Sequence, residues 1–336
     1  MKVLIDHSSP FLLAHGGLQI QIEETKQALE KLGVDVEFLR WWEETQRGDI
    51  IHFFGRPTGS YIDFAHQKNI RVVISELLTG LGSRTQRAIA FQRIIIQLVR
   101  KLTPSAFWAK MAWDAYEKAD RVVALTSWEA ELMHRIFNAP PDRLVVIPNG
   151  VANDFFLARD SSVRRRDWLI CTATITPRKR VLELAQAAVQ AQVPVRIIGR
   201  PYADNDAYAR TFFDFAGRNS KLVQYDGPIE DRRLLARAYR ESRGFVLLSE
   251  MESLSLSALE AAACECPLLL SDLPWARSSF NTSATYCPIA NAMVTAKILR
   301  RFYDAAPNLR LAPKPLGWTQ VGQQLKTLYE GLLRTS

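Results

Sequence analysis

The sequence predicts an α/β protein made of two doubly wound parallel sheets in tandem, and three observations carry that prediction. Short apolar runs recur between helix-like segments in the manner of βαβ units. These runs are continuously hydrophobic instead of alternating, as expected of strands covered on both faces. The pattern stops at a turn, crosses a polar basic run and starts again, within 336 residues that suffice for two cores.

In the first half the expected strands are VLI (3–5), VDVEFL (34–39), IIHFF (50–54), RVVIS (71–75), RVVAL (121–125) and LVVIP (144–148). Pro148-Asn149-Gly150 makes a turn, and ARDSSVRRRD (158–167) reads as a linker. Strands resume with WLICTAT (168–174), VRIIG (195–199), LVQYDG (222–227), GFVLLS (244–249) and PLLLSD (267–272). An N-terminal domain over 1–157 and a C-terminal domain over 165–315 are expected, facing a cleft. A closing helix over 318–336 is expected to pack back on the first domain.

Composition sets limits on function. With 48% hydrophobic and 23% charged residues, the chain has no stretch long enough to span a bilayer. MKVLIDHSSP lacks the apolar region of a signal peptide and reads as a first buried strand. Cys171, Cys264, Cys266 and Cys287 form no CxxC pair, which suits small buried thiols in a reducing cytoplasm. The net charge of +8 is uneven: residues 84–121 hold eight Lys/Arg against three acids. No nucleic-acid recognition motif accompanies this excess. FQRIIIQLVRKL followed by FWAKMAW interleaves basic with large apolar residues, which fits either an anionic membrane surface or a packed amphipathic helix with a solvated basic face.

Ligands of doubly wound sheets bind beyond the carboxyl ends of the strands, so the turns there are the places to look for chemistry. Gly16-Gly17, after the first strand, opens a helix; it serves either a tight turn or the close approach of an anion to a helix start. Arg178, Lys179 and Arg180 stand between a strand and a helix, as a solvated charge run or as a phosphate clamp. In SEMESLSLSALEAAACECP, Glu252 precedes a helix and Glu260 lies about two turns into it, so both can border one ligand. Capping would explain Glu252, and burial against backbone donors would explain Glu260; neither explains both.

The run from Ser249 to Pro267 resembles the E-x7-E signature of retaining glycosyltransferases of family 4, which have the GT-B fold of two Rossmann-like domains facing a cleft. HGGLQIQIEETKQALEKLG (15–33), TSWEAELMHRIF (126–137), RLVVIPNGVANDFF (143–156), TITPRKR, YDGPI (225–229) and GWTQVGQQLKTLYEGLL (317–333) resemble other segments of that family in the same order.

The resemblance implies a nucleoside-diphosphate sugar as donor substrate, with no cofactor and no metal. Glu252 would contact hydroxyls of the donor sugar and Glu260 the ribose, while Arg178 and Lys179 would neutralise the diphosphate beside the backbone of Gly16 and Gly17. Thr174 stands where the family has an Arg, so Arg178 would take over its charge. Ser253, Leu254 and Ser255 replace the family's Gly-Phe-Gly along the sugar, and Glu265 replaces a Gly. The acceptor, a glycan or lipid-linked glycan, would meet His15, as proton acceptor, and His52, Ser75 and Glu76. The chain contains one Asp-x-Asp run, Asp204-Asn205-Asp206, so metal independence stands only as what the resemblance implies.

Two other functions fit parts of this pattern: a non-catalytic glycosyltransferase-like partner subunit, and a sugar-nucleotide epimerase of the same fold. The departures at Thr174, Ser253–Ser255 and Glu265 speak for the first, and intact Glu252, Glu260 and Lys179 argue against it; the order of segments favours the transferase over the second. The expected location is cytoplasmic, including the inner membrane face if the 84–121 segment docks there.

Overall fold

The computed structural model describes residues 1–8, 10–12, 16–157, 165–203 and 205–334. They form two compact units, Met1–Gly150 with Trp318–Ser336, and Val151–Gly317.

The first unit runs β1 (Lys2–His7), α1 (Gly17–Lys31), β2 (Asp35–Phe38), β3 (Ile50–Phe54), α2 (Gly59–Gln67), β4 (Arg71–Ser75), α3 (Thr79–Gly82), α4 (Gln86–Leu102), α5 (Ser105–Lys110), α6 (Ala115–Lys118), β5 (Arg121–Ala124), α7 (Ser127–Phe137) and β6 (Leu144–Val146). Its sheet is parallel throughout, in the order β2-β1-β3-β4-β5-β6. Leu4, Ile51, Val72, Ile74 and Val122 of the strands pack with Leu132 and Ile136 of α7 into one core. Burial on both faces explains the unbroken apolar runs.

The second unit runs β7 (Leu169–Thr172), α8 (Val181–Ala191), β8 (Val195–Ile198), α9 (Ala207–Arg218), β9 (Val223–Tyr225), α10 (Arg232–Glu241), β10 (Gly244–Leu247), α11 (Leu256–Ala263), β11 (Leu268–Ser271), α12 (Pro274–Phe280), β12 (Thr285–Cys287) and α13 (Ala292–Ala305). Its sheet, also parallel, has the order β12-β11-β10-β7-β8-β9. Its core joins Leu169, Val195, Val246 and Leu269 to Phe212 of α9 and Leu299 of α13. Strand β12 was not among the expected strands, because Thr285 and Tyr286 leave TYC without an apolar run of the kind that marks the others.

The last helix, α14 (Trp318–Arg334), lies on α1 of the first unit, where Lys326 Nζ donates to the Leu32 carbonyl at 2.9 Å. The boundary between the units differs from the expected 157. Residues 151–157 belong to the second unit because Phe155 is buried there, its carbonyl accepting from Cys264 Sγ, while the Asp154 carbonyl accepts from Arg240. Residues 158–164 of the expected linker lie outside the described residues. All four cysteines are buried free thiols.

Candidate functional site

The strand order of the second sheet reverses between β7 and β10, so the turns after these two strands diverge and leave a crevice at their carboxyl ends. Both turns carry charged residues singled out in the sequence. After β7, Ile175 is buried and anchors the loop by donating its amide to the Arg200 carbonyl at 3.1 Å. Gly199, at the end of β8, has φ +145°, and a Cβ there would lie 1.9 Å from the Ala173 carbonyl oxygen. Only glycine lets the two turns run this close. Pro177–Lys179 then forms a single 3-10 turn, and Arg180, in the left-handed region at φ 54°, leads into α8.

The turn after β10 is stitched to that loop. The Glu250 amide donates to the Arg178 carbonyl at 2.9 Å, and the Ser249 hydroxyl lies 3.3 Å from the same oxygen. The Ser249 carbonyl in turn accepts from Ser271 at 2.7 Å. This framework sets the side chains. Lys179 Nζ contacts Glu252 Oε1, and Arg178 Nη1 lies 3.4 Å from the same oxygen while donating to the Met251 carbonyl at 2.5 Å. The side chains of Lys179 and Glu252 are only 13% and 11% exposed, so their charges are compensated mainly by each other and by Arg178. Arg180, the third base of the run, turns away to Glu250 at 3.1 Å and to the Ala290 carbonyl.

Glu252 does not cap the following helix. Ser255 is the N-cap of α11, its hydroxyl accepting from the Ala258 amide at 3.3 Å. The Ser255 oxygen is thus engaged with the helix start and lies 3.1 Å from the Ser257 hydroxyl. Ser253 and Leu254 are buried between Glu252 and that cap, and Thr174 is half-buried in the loop after β7.

Glu260, one turn into α11, belongs to a second network. The Tyr239 hydroxyl, from fully buried Tyr239 of α10, donates to Glu260 Oε2 at 3.0 Å and also contacts the Thr172 hydroxyl at the end of β7. Burial raises the Glu260 carboxyl to about pKa 7, and the bond from Tyr239 only partly offsets this. The two glutamates therefore occupy different electrostatic settings on either side of the β7 end. Glu252 is held by cations; Glu260 is bonded by the neutral hydroxyl of Tyr239. Tyr239 and Thr172 were not singled out in the sequence. Tyr239 lies within ARAYRE, an amphipathic helix in which a tyrosine on the inner face looks like core.

In the first unit, Gly16 is the N-cap of α1 at φ 140°, and Gly17 is its first helical residue. Among the described residues no side chain caps this helix, and no acid occupies its first turn. His15 lies outside the described residues. His52 and Ser75 do not present themselves to an acceptor. They are 1% and 4% exposed, with His52 Nε2 at 2.7 Å from Ser75 Oγ and Nδ1 at 2.6 Å from the Tyr329 hydroxyl of α14. Burial depresses the His52 imidazole to about pKa 3, so it is neutral, and its ring stacks on Phe54. The reason is topological: His52 sits in the middle of β3, on the side that α14 covers. Glu76, after β4, is also engaged, forming a two-pronged pair with Arg56 at 2.8 Å on each arm and accepting from Tyr116. Arg56 itself lies over the Phe137 ring, 4.3 Å from its centroid.

Comparison with known proteins finds two family models on the chain, a glycosyl transferase 4-like domain over residues 28–150 and glycosyl transferases group 1 over residues 166–304. Among curated proteins, a D-inositol 3-phosphate glycosyltransferase of Geodermatophilus obscurus is 30% identical over 171 residues, 45% of this chain and 38% of that protein. One of Thermomonospora curvata is 27% identical over 248 residues, 63% of this chain and 57% of that protein. The matches thus span 38% and 57% of these relatives' lengths. Among solved structures, a sucrose-phosphate synthase of Thermosynechococcus elongatus superposes with TM-score 0.72 at 17% identity, covering 100% of this chain and 99% of that one. Anabaena Alr3699/HepE, solved in complex with UDP, gives 0.71 at 13%, covering 98% and 100%. At such identities these likenesses concern the fold.

Proposed function

Because the chain belongs to the group 1 glycosyltransferases of the GT-B fold, we propose that it transfers a sugar from a nucleoside-diphosphate sugar to an acceptor hydroxyl, with retention of anomeric configuration and without a metal. The observation that carries this reading is the cluster of Arg178, Lys179 and Glu252 in the crevice where the second sheet reverses.

Breaking the bond between the anomeric carbon and the diphosphate leaves negative charge on the leaving oxygen and builds positive charge on the sugar. Lys179 and Arg178 answer the first charge. The Glu252 carboxylate is their counter-ion; an arriving diphosphate takes over part of that role and leaves Glu252 Oε1 to accept from a sugar hydroxyl. In this reading Glu260 accepts from the ribose; its bond from Tyr239, which orients the carboxyl, supports that role. The acceptor is a hydroxyl of a glycan or lipid-linked glycan bound by the first unit, with His15 as the candidate proton acceptor. His52 and Ser75 have no part in this, because both are core residues.

The test is a thermal-shift screen against UDP, GDP, ADP, CMP and the matching sugar nucleotides, UDP first because Alr3699/HepE was solved with it. One nucleoside diphosphate should raise the melting temperature of the native chain. Lys179→Ala and Arg178→Ala should reduce that shift, whereas Glu252→Ala should lower turnover far more than it weakens nucleotide binding. No shift with any of these ligands would overturn the transferase reading in favour of a non-catalytic partner subunit.

A further inference from the structure

Helix α4 has two apolar faces, and only one of them is packed. Ile89 and Ile96 are buried against the first unit, and Arg100 on the same side pairs with Glu117 at 2.5 Å and donates to the Trp113 carbonyl. At 3.6 residues per turn, Phe91, Ile95, Leu98 and Leu102 fall on the opposite side, where a helix facing water carries polar groups. They are instead large hydrophobes, 66%, 43%, 50% and 76% exposed. Ile94 flanks the stripe, and Phe107 and Met111 extend the exposed apolar surface past the end of the helix.

Charge tells what this face suits. Arg87 and Lys101 fall along one margin of the stripe, and residues 84–113 contain six Lys/Arg and no Asp or Glu. A second copy of the same face would bring like charges together with no acid to offset them. A nucleic acid would want the cations in the middle of the surface, where the hydrophobes are. Among the described residues, no helix is long and apolar enough to cross a membrane.

We propose that this face of the first unit docks on an anionic lipid surface. The stripe from Phe91 to Leu102 enters the boundary between headgroups and acyl chains, and Arg87, Lys101 and the flanking Arg84 and Lys110 meet lipid phosphates. The proposal stands on α4 and its neighbours alone, independently of the transfer reaction.

The experiment is sedimentation of the full chain with phosphatidylcholine vesicles that contain or lack phosphatidylglycerol, at low and high salt. The chain should pellet with the anionic vesicles at low salt and weaken at high salt. Arg87→Glu with Lys101→Glu should weaken this binding by at least about tenfold, since each basic residue contributes roughly fivefold. Leu98→Ser with Leu102→Ser should abolish most of it at unchanged melting temperature, because both side chains are exposed. Absence of pelleting with anionic vesicles at low salt would overturn the proposal. So would equal binding to neutral vesicles, or a self-association that the leucine variant removes in a chain that binds no vesicles.

Discussion

The Tyr239 hydroxyl donates to Glu260 Oε2 at 3.0 Å while contacting the Thr172 hydroxyl, so one buried phenol ties α10, α11 and the end of β7 together. Tyr239 is fully buried, so its hydroxyl bonds only within this network. Tyr239→Phe leaves Thr172 and Glu260 short of a partner and should destabilise the second unit by about 1–3 kcal/mol. Urea denaturation of the two proteins measures this; equal midpoints would mean that the network contributes nothing.

Glu260 should give stability a pH dependence of unusual sign. Its folded pKa of about 7 lies above its ordinary 4.5. Between these values the folded state holds a proton that the unfolded state has released, so stability falls as pH rises through the window and levels off above it. Glu260→Gln should remove that slope, giving its largest gain above pH 7. If the ionised carboxylate holds the ribose, nucleotide affinity should rise over the same window. Denaturation and titration series on both proteins test the two statements separately.

His52 should act in the opposite direction. Its folded pKa of about 3 lies below the ordinary 6.5, so on acidification the unfolded state takes up a proton first and stability falls progressively from pH 6.5 downward. His52→Gln should flatten that acid limb. It should also cost about 1–3 kcal/mol at neutral pH, because the bonds to Ser75 and Tyr329 are replaced imperfectly. Nucleotide binding by the folded variant should be unchanged. A selective loss of transfer to the acceptor in a folded variant that still binds nucleotide would return His52 to the functional residues.

Lys179 and Glu252 should be strongly coupled. Lys179→Ala leaves Glu252, 11% exposed, with Arg178 at 3.4 Å as its remaining cation, and the expected cost is about 3 kcal/mol. Adding Glu252→Ala should recover much of that loss, because no uncompensated carboxylate remains. A double-mutant cycle by chemical denaturation reads the coupling, and additive losses would contradict it.

Gly199→Ala should prevent stable folding of the second unit. The new Cβ would stand 1.9 Å from the Ala173 carbonyl oxygen at a backbone φ of +145°. A loss of more than about 3 kcal/mol is expected, whereas Gly16→Ala, with open space around its Cβ, should meet only backbone strain of about 1–2 kcal/mol. Circular dichroism melts of the two variants make the comparison.

What the sequence alone determined about this protein is what local rules encode. Unbroken apolar runs such as IIHFF and GFVLLS mark strands buried on both faces, so the doubly wound class and eleven of the strands were legible. Strand β12 was not, since TYC contains no apolar run. The charged residues of the β7 and β10 turns were legible for the same reason, because ligands of such sheets gather at strand ends. Tertiary structure alone decided who faces whom. It joined Lys179 to Glu252 across 73 residues, gave the helix cap to Ser255, placed Tyr239 against Glu260, and sank His52 under α14, whose Tyr329 lies 277 residues away. A side chain's type and spacing fix the bonds it is able to make; only the packing of distant elements fixes which partner is within 3 Å, and thereby which charges are compensated and which pKa values move.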